Sequence, residues 1–107
     1  MEIPQMTAQA LAARMAADPE LVLLDVRTPQ ERVHASIPGS VDIPASQLTL
    51  RLDELDPDAP TVVFCHFGMR SIAAASLLLE RDFDEVYSLT GGIDLYAKDV
   101  ATDLARY

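Results

Sequence analysis

The segment TVVFCHFGMRSIAAASLLLE, residues 61–80, decides the reading of this chain. Thr61 to Cys65 are β-branched, aromatic or small and apolar, without alternation. Such a run reads as a strand buried on both faces. From Ser71 to Arg81 the pattern becomes helical. Ala73 to Ala75 permit close packing on a sheet, and Leu77 to Leu79 supply core. Only His66 to Arg70 lie between, with Gly68 inside the loop. A strand, a tight loop and a helix in this order are the repeating unit of an α/β fold with a mostly parallel sheet.

Working outward, the same alternation recurs. Thr7 reads as the N-cap of a helix over Ala8 to Ala17, with Leu11 and Met15 four apart and Asp18-Pro19 as the stop. Leu21 to Val26 is apolar until Asp25 and reads as a second buried strand. Pro29 opens a turn and a short helix through Arg32. Ile37 to Ser40 make a turn, and Val41 to Ile43 a short strand ended by Pro44. Ser46 reads as the cap of a helix over Gln47 to Leu55, with Leu48, Leu52 and Leu55 on one face. Val86 to Leu89 is a third core strand, closed by Gly91-Gly92. Leu95, Tyr96, Val100 and Leu104 recur at helical intervals through the stretch from Ile93 to Tyr107. Met1 to Met6 read as a lead-in, with Pro4 resisting helix.

The chain has 107 residues, half of them hydrophobic, and a formal net charge of −9. This describes one globular domain over residues 1–107, with enough apolar residues for a core without disulfides. The charge repels phosphate backbones and anionic lipid, so neither nucleic acid nor a membrane is an expected partner. Lys98 is the single lysine, and no apolar run approaches the ~18 residues that span a bilayer. Glu2 and the lack of a basic n-region argue against a secretory leader, so a cytoplasmic location is expected. One cysteine, Cys65, excludes an intrachain disulfide. With only His34 and His66 beside it, the ligands for a Cys-rich zinc site are too few.

The candidate chemistry sits at Cys65. In open parallel sheets, ligands bind beyond the carboxyl ends of the strands. Taken alone, Cys65 reads as a small buried hydrophobe. Its place at a strand end, before a short loop and a helix start, reverses that reading. The loop turns backbone N–H groups toward the sulfur, and the helix N-terminus adds positive partial charge. Arg70 adds a full positive charge, and together these favour thiolate over thiol. Phe67 and Met69 read as a rim able to touch a donor or a partner protein. His66 either tunes the thiolate or faces solvent, and His34 reads as part of a solvated turn. Arg70 either binds an anionic donor or braces the loop against a carboxylate such as Asp25. Arg27 and Glu31, spaced i, i+4, read as a structural pair.

Cys65-His66-Phe67-Gly68-Met69-Arg70-Ser71 resembles the Cys-x-x-Gly-x-Arg-Ser loop of the rhodanese-like (sulfurtransferase) family. Three further segments resemble that family in the right order. They are Asp25-Val26-Arg27 with Glu31, Ile37-Pro38-Gly39-Ser40-Val41-Asp42-Ile43-Pro44, and Gly91-Gly92-Ile93-Asp94-Leu95-Tyr96. The resemblance extends over about residues 21–97. Ala35-Ser36 stand where the family commonly has Gly-His, Tyr96 where it has Trp, and Asp42 where it has Asn. The resemblance implies a three-layer α/β/α domain around a mostly parallel sheet of about five strands. It implies a nucleophilic Cys65 within a persulfide-binding loop of His66, Phe67, Gly68, Met69, Arg70 and Ser71, supported by Asp25, Arg27 and Glu31. The implied reaction moves a sulfane sulfur from a small anionic donor such as thiosulfate to cyanide or a thiol, through a Cys65 persulfide and without metal or cofactor. The charge of −9 suits a sulfur-relay protein as partner better than free thiosulfate. Alternative readings are a non-catalytic binding or redox-sensing module on the same fold and, less well matched, a cysteine phosphatase or arsenate reductase. Those phosphatases use a loop one residue longer between Cys and Arg.

Overall fold

The computed structural model describes residues 2–107. In chain order the elements are β1 (Gln5–Met6), α1 (Ala8–Ala17), β2 (Val22–Asp25), α2 (Pro29–Arg32) and β3 (Val41–Asp42). Two 3₁₀ turns follow at Ala45–Leu50 and Leu52–Glu54. Then come β4 (Thr61–Phe64), α3 (Arg70–Glu80), β5 (Val86–Leu89) and α4 (Gly92–Asp99). The strands form one sheet in the order β1-β5-β4-β2-β3, every neighbouring pair parallel. One row runs across all five strands: Gln5, Ser88, Val63, Leu24 and Val41. The expected α/β class and five-stranded parallel sheet are what the chain adopts.

Side-chain alternation along the strands sorts the core into two layers. Leu24, Val26, Val63, Cys65 and Val86 face the layer holding Ala74, Ala75 and Leu78 of α3, together with Leu48. Leu23, Val62, Phe64 and Leu89 face the opposite layer, with Leu11 of α1 and Ile93 and Tyr96 of α4. Both faces are therefore dry, which explains why β2 and β4 read as unbroken apolar runs. Truncating a fully buried anchor such as Leu78 to alanine costs about 2–5 kcal/mol.

Several boundaries differ from the sequence reading. Thr7 caps α1 as expected, its hydroxyl accepting from the Ala10 N–H at 3.1 Å. The lead-in contains an edge strand, Gln5–Met6, paired with Ser88 and Leu89; Met1 lies outside the described residues. The helix expected over Gln47 to Leu55 is instead two 3₁₀ turns. No side chain caps their starts, so Ser46 has no capping role, and Arg51 at φ −120° separates them. Leu48, Leu52 and Leu55 still reach the α3-side core. Helix α4 ends at Asp99, short of the expected stretch to Tyr107. The Val100 and Ala101 N–H groups both bond the Tyr96 carbonyl, and beyond them the chain is not helical. Val100, Leu104 and Tyr107 nevertheless pack on the α4-side core, so a helical spacing of apolar residues is met by irregular backbone.

Candidate functional site

Cys65 stands one residue beyond β4, in register with Val63. Alternation therefore aims its side chain at the N-terminus of α3, and the residue is only 1% exposed. Two backbone N–H groups donate to its sulfur: Gly68 at 3.2 Å and Ser71 at 3.4 Å. The Ser71 hydroxyl oxygen is 3.5 Å from the same sulfur. That hydroxyl in turn pairs with the Ser88 hydroxyl of β5 at 2.7 Å. No side chain caps α3; the otherwise unpaired Ser71 N–H is satisfied by sulfur instead. Such a cradle of N–H groups at a helix start suits a negatively charged sulfur. Ser88 escaped the sequence reading, its only signal being a lone hydroxyl in a strand buried on both faces.

The floor under the loop is the turn between β5 and α4. The Ile93 and Asp94 N–H groups donate to the carbonyls of Cys65 at 2.9 Å and His66 at 3.1 Å. Gly92, at φ +60°, lies so close that a Cβ there would stand 2.5 Å from both of those carbonyl oxygens. Gly68, at φ +98°, closes the loop from above, with space for a Cβ limited to 3.2 Å by the Gly91 nitrogen.

The charged residues pair differently from the sequence reading. Arg27 and Glu31 do not pair. Arg27 is fully buried against Asp25, with Nε 2.9 Å from Oδ1 and a second nitrogen 2.7 Å from Oδ2. The same guanidinium donates to the Ala35 carbonyl at 2.8 Å. Glu31 instead holds Arg70 through two bonds of 2.6 and 2.7 Å. Arg70 therefore braces the loop, against Glu31 rather than Asp25, and its charge is compensated. Glu31 is aimed by a capping box in which its backbone and side chain exchange bonds with Thr28. The Arg70 guanidinium holds the Glu31 carboxyl at about 2, against the opposing effect of burial, with smaller help from the Thr28 N–H and Tyr107.

Tyr107 links the two pairs. Its hydroxyl accepts from Arg27 at 3.0 Å and donates to Glu31 at 2.9 Å. Burial, with the Glu31 carboxylate beside it, raises this phenol above its ordinary range against the pull of Arg27. The Tyr107 ring stacks on His66, centroids 3.9 Å apart and planes 8° apart. Phe67 also stacks on His66, with centroids 3.8 Å apart, and His34 stacks on Tyr107 at 5.4 Å. His66 is thus held in an aromatic stack rather than turned to solvent, and His34 is exposed as expected. No local pattern marked Tyr107; an aromatic ring in a polar stretch was its only signal. Phe67 at 59% and Met69 at 79% exposure form the rim. A groove of about 260 Å³ is lined by Leu48, Arg70, Ala74 and Leu77 among others, and Cys65 does not line it. Among the described residues, no group of three or more His, Cys, Asp or Glu could hold a metal ion, and no helix is long and apolar enough to cross a membrane.

Residues 7–99 match the family described as Rhodanese-like domain. A sulfurtransferase of Allochromatium vinosum is 29% identical over 90% of this chain and 90% of its own length. The thiosulfate sulfurtransferase GlpE of Pseudomonas syringae is 39% identical over 88% of this chain and 84% of its own length. A crystal structure of a rhodanese-related protein from Thermoplasma volcanium superimposes with a TM-score of 0.83 at 30% identity, covering 91% of this chain and 93% of that one.

Proposed function

Because this chain belongs to the rhodanese-like family, we propose that it is a sulfurtransferase whose Cys65 carries the transferred sulfur. One observation carries the reading: a single cysteine sulfur, at the end of a buried strand, accepts the N–H groups of Gly68 and Ser71. The same cradle that favours a thiolate favours the persulfide that follows it, because both place negative charge near those donors.

The reaction is a double displacement. The Cys65 thiolate bonds the outer sulfur of a sulfane donor. With thiosulfate, the sulfur–sulfur bond breaks and sulfite leaves with the electron pair. Cys65 then holds a persulfide. A nucleophilic acceptor, cyanide or a thiolate, bonds the outer sulfur and returns Cys65 as thiolate; with cyanide the product is thiocyanate. No electrons enter or leave overall. Ser71 supplies a hydroxyl beside the sulfur, Ser88 holds that hydroxyl, and the Gly91-Gly92 turn holds the loop from beneath.

The test is intact mass after incubation with thiosulfate. The protein gains one sulfur atom, loses it on addition of cyanide with release of thiocyanate, and gains none as Cys65→Ser. Absence of an adduct with every sulfane donor tried would refute the reading.

A further inference from the structure

The mouth of the site has a charge arrangement that bears on which donor it accepts. Arg70 is the cation of the Cys65 loop, at the first position of α3. Both of its terminal nitrogens are engaged by Glu31, at 2.6 and 2.7 Å. Glu31 is itself held from two further sides. The Thr28 N–H and hydroxyl lie 3.2 Å from one oxygen, and the Tyr107 hydroxyl lies 2.9 Å from the other. The other guanidinium in this network, Arg27, is closed off by Asp25. Arg106 is paired with Asp94 at the start of α4, and Arg32 with Asp42 of β3. The guanidiniums of Arg27, Arg32, Arg70 and Arg106 are thus each paired with a carboxylate, in a chain of net charge −9. What remains at the rim is apolar: Phe67, Met69 and Ile72 are exposed.

We propose that Glu31, held in place by Tyr107, is a positioning residue that cancels the charge of Arg70 and so selects singly charged organic sulfane donors over free dianions. The inference rests on the sulfur-transfer reading and names its substrate class. The preferred donor is a sulfane sulfur borne on an organic group, whose apolar body meets Phe67 and Met69. Cys65 bonds the outer sulfur, the bond to the carrier breaks, and the carrier leaves with the electron pair as a thiolate or sulfinate. Thiosulfate reacts, but without help from Arg70.

The charge of the donor sets the size of the effect. Coulomb energy is linear in the donor's charge, so removing the Glu31 charge alters the affinity of a dianion by the square of the factor for a monoanion. Steady-state kinetics with cyanide as acceptor compare thiosulfate with an arenethiosulfonate. In Glu31→Gln, KM falls about ninefold for thiosulfate and about threefold for the arenethiosulfonate, with the effect on KM rather than kcat and shrinking as salt is raised. Glu31→Asp, which keeps the charge, stays near the wild type. Tyr107→Phe moves KM in the same direction by less. Equal changes for both donors, or a loss confined to kcat, would overturn the assignment and leave Glu31 a brace for the loop.

A second arm needs no turnover. Sulfate protects Cys65 from iodoacetamide, and Glu31→Gln lowers the concentration for half protection about as far as it lowers the thiosulfate KM. If this shift appears while no sulfur transfer occurs, the charge assignment stands and the sulfur-transfer reading falls. If protection is unchanged, the assignment falls whatever the turnover.

Discussion

Two carboxylate–guanidinium pairs stand on either side of the Tyr107 hydroxyl, alike in chemistry and unlike in depth. Asp25 and Arg27 are fully removed from solvent, and their bonds extend to the Ala35 carbonyl and Tyr107. Glu31 and Arg70 lie at the rim, with the Arg70 side chain 40% exposed. Burial makes the first pair unforgiving, because either partner left alone is an uncompensated charge in a dry environment. Partial exposure makes the second adjustable, because water and salt can stand in for a missing partner. The deep pair therefore secures the end of β2, while the rim pair can be altered at modest cost to the fold.

That contrast can be broken most decisively at the deep pair. Arg27→Met strands the Asp25 carboxylate and destabilises the protein by about 3–5 kcal/mol in urea unfolding. In a domain of this length the corresponding fall in Tm exceeds about 12 °C. The double variant Asp25→Leu with Arg27→Met recovers most of that loss, since two apolar residues leave no charge behind. Failure of the double variant to recover would mean that the pair contributes through its bonds to Ala35 and Tyr107 rather than through mutual compensation.

A smaller effect belongs to the hydroxyl that joins the pairs. Tyr107→Phe keeps the ring on His66 and removes two hydrogen bonds, at a cost of about 1–2 kcal/mol by the same measurement. Proton NMR of His66 separates the two contributions. Its ring resonances stay upfield in Tyr107→Phe and move downfield in Tyr107→Leu, where the stack is lost.

The rim pair gives smaller effects still. Glu31→Gln costs below about 1 kcal/mol, as a partly exposed ion pair should. A loss as large as that of Arg27→Met would erase the contrast of depth. Acid titration refines it further. Glu31 is held at about 2 against an ordinary 4.5, so its contribution is complete above pH 4.5 and fades as pH falls toward 2. Urea midpoints between pH 5 and pH 2 therefore decline less steeply in Glu31→Gln than in the wild type. Equal slopes would mean that the Arg70 contact does not bind Glu31 more tightly in the folded state.

Composition and local pattern were enough to place β2, β4 and β5, α1 and α3, and the Cys65 loop. A parallel strand buried on both faces must be apolar throughout, and a helix entering from a five-residue loop must begin near Arg70. The same local rules bring N–H groups to Cys65, since strand alternation fixes which way the sulfur points. The i, i+4 rule failed for Arg27 and Glu31 because it holds only inside a helix. Arg27 precedes Thr28, the cap of α2, and sits at a bend outside the helix, where its backbone N–H and its guanidinium both reach Asp25, two residues back. Glu31 could find Arg70 only once α2 and α3 had been brought to one end of the sheet. Tyr107 reaches both pairs from 80 and 76 residues away. Likewise β1 is too short to be specified by its own two residues and exists because β5 offers an edge. Local sequence determined the elements and the position of Cys65, because those depend on periodicity and backbone sterics. The partners of each charge were decided only by tertiary structure, because Coulomb attraction and hydrogen bonding act on distance in space and are indifferent to separation along the chain.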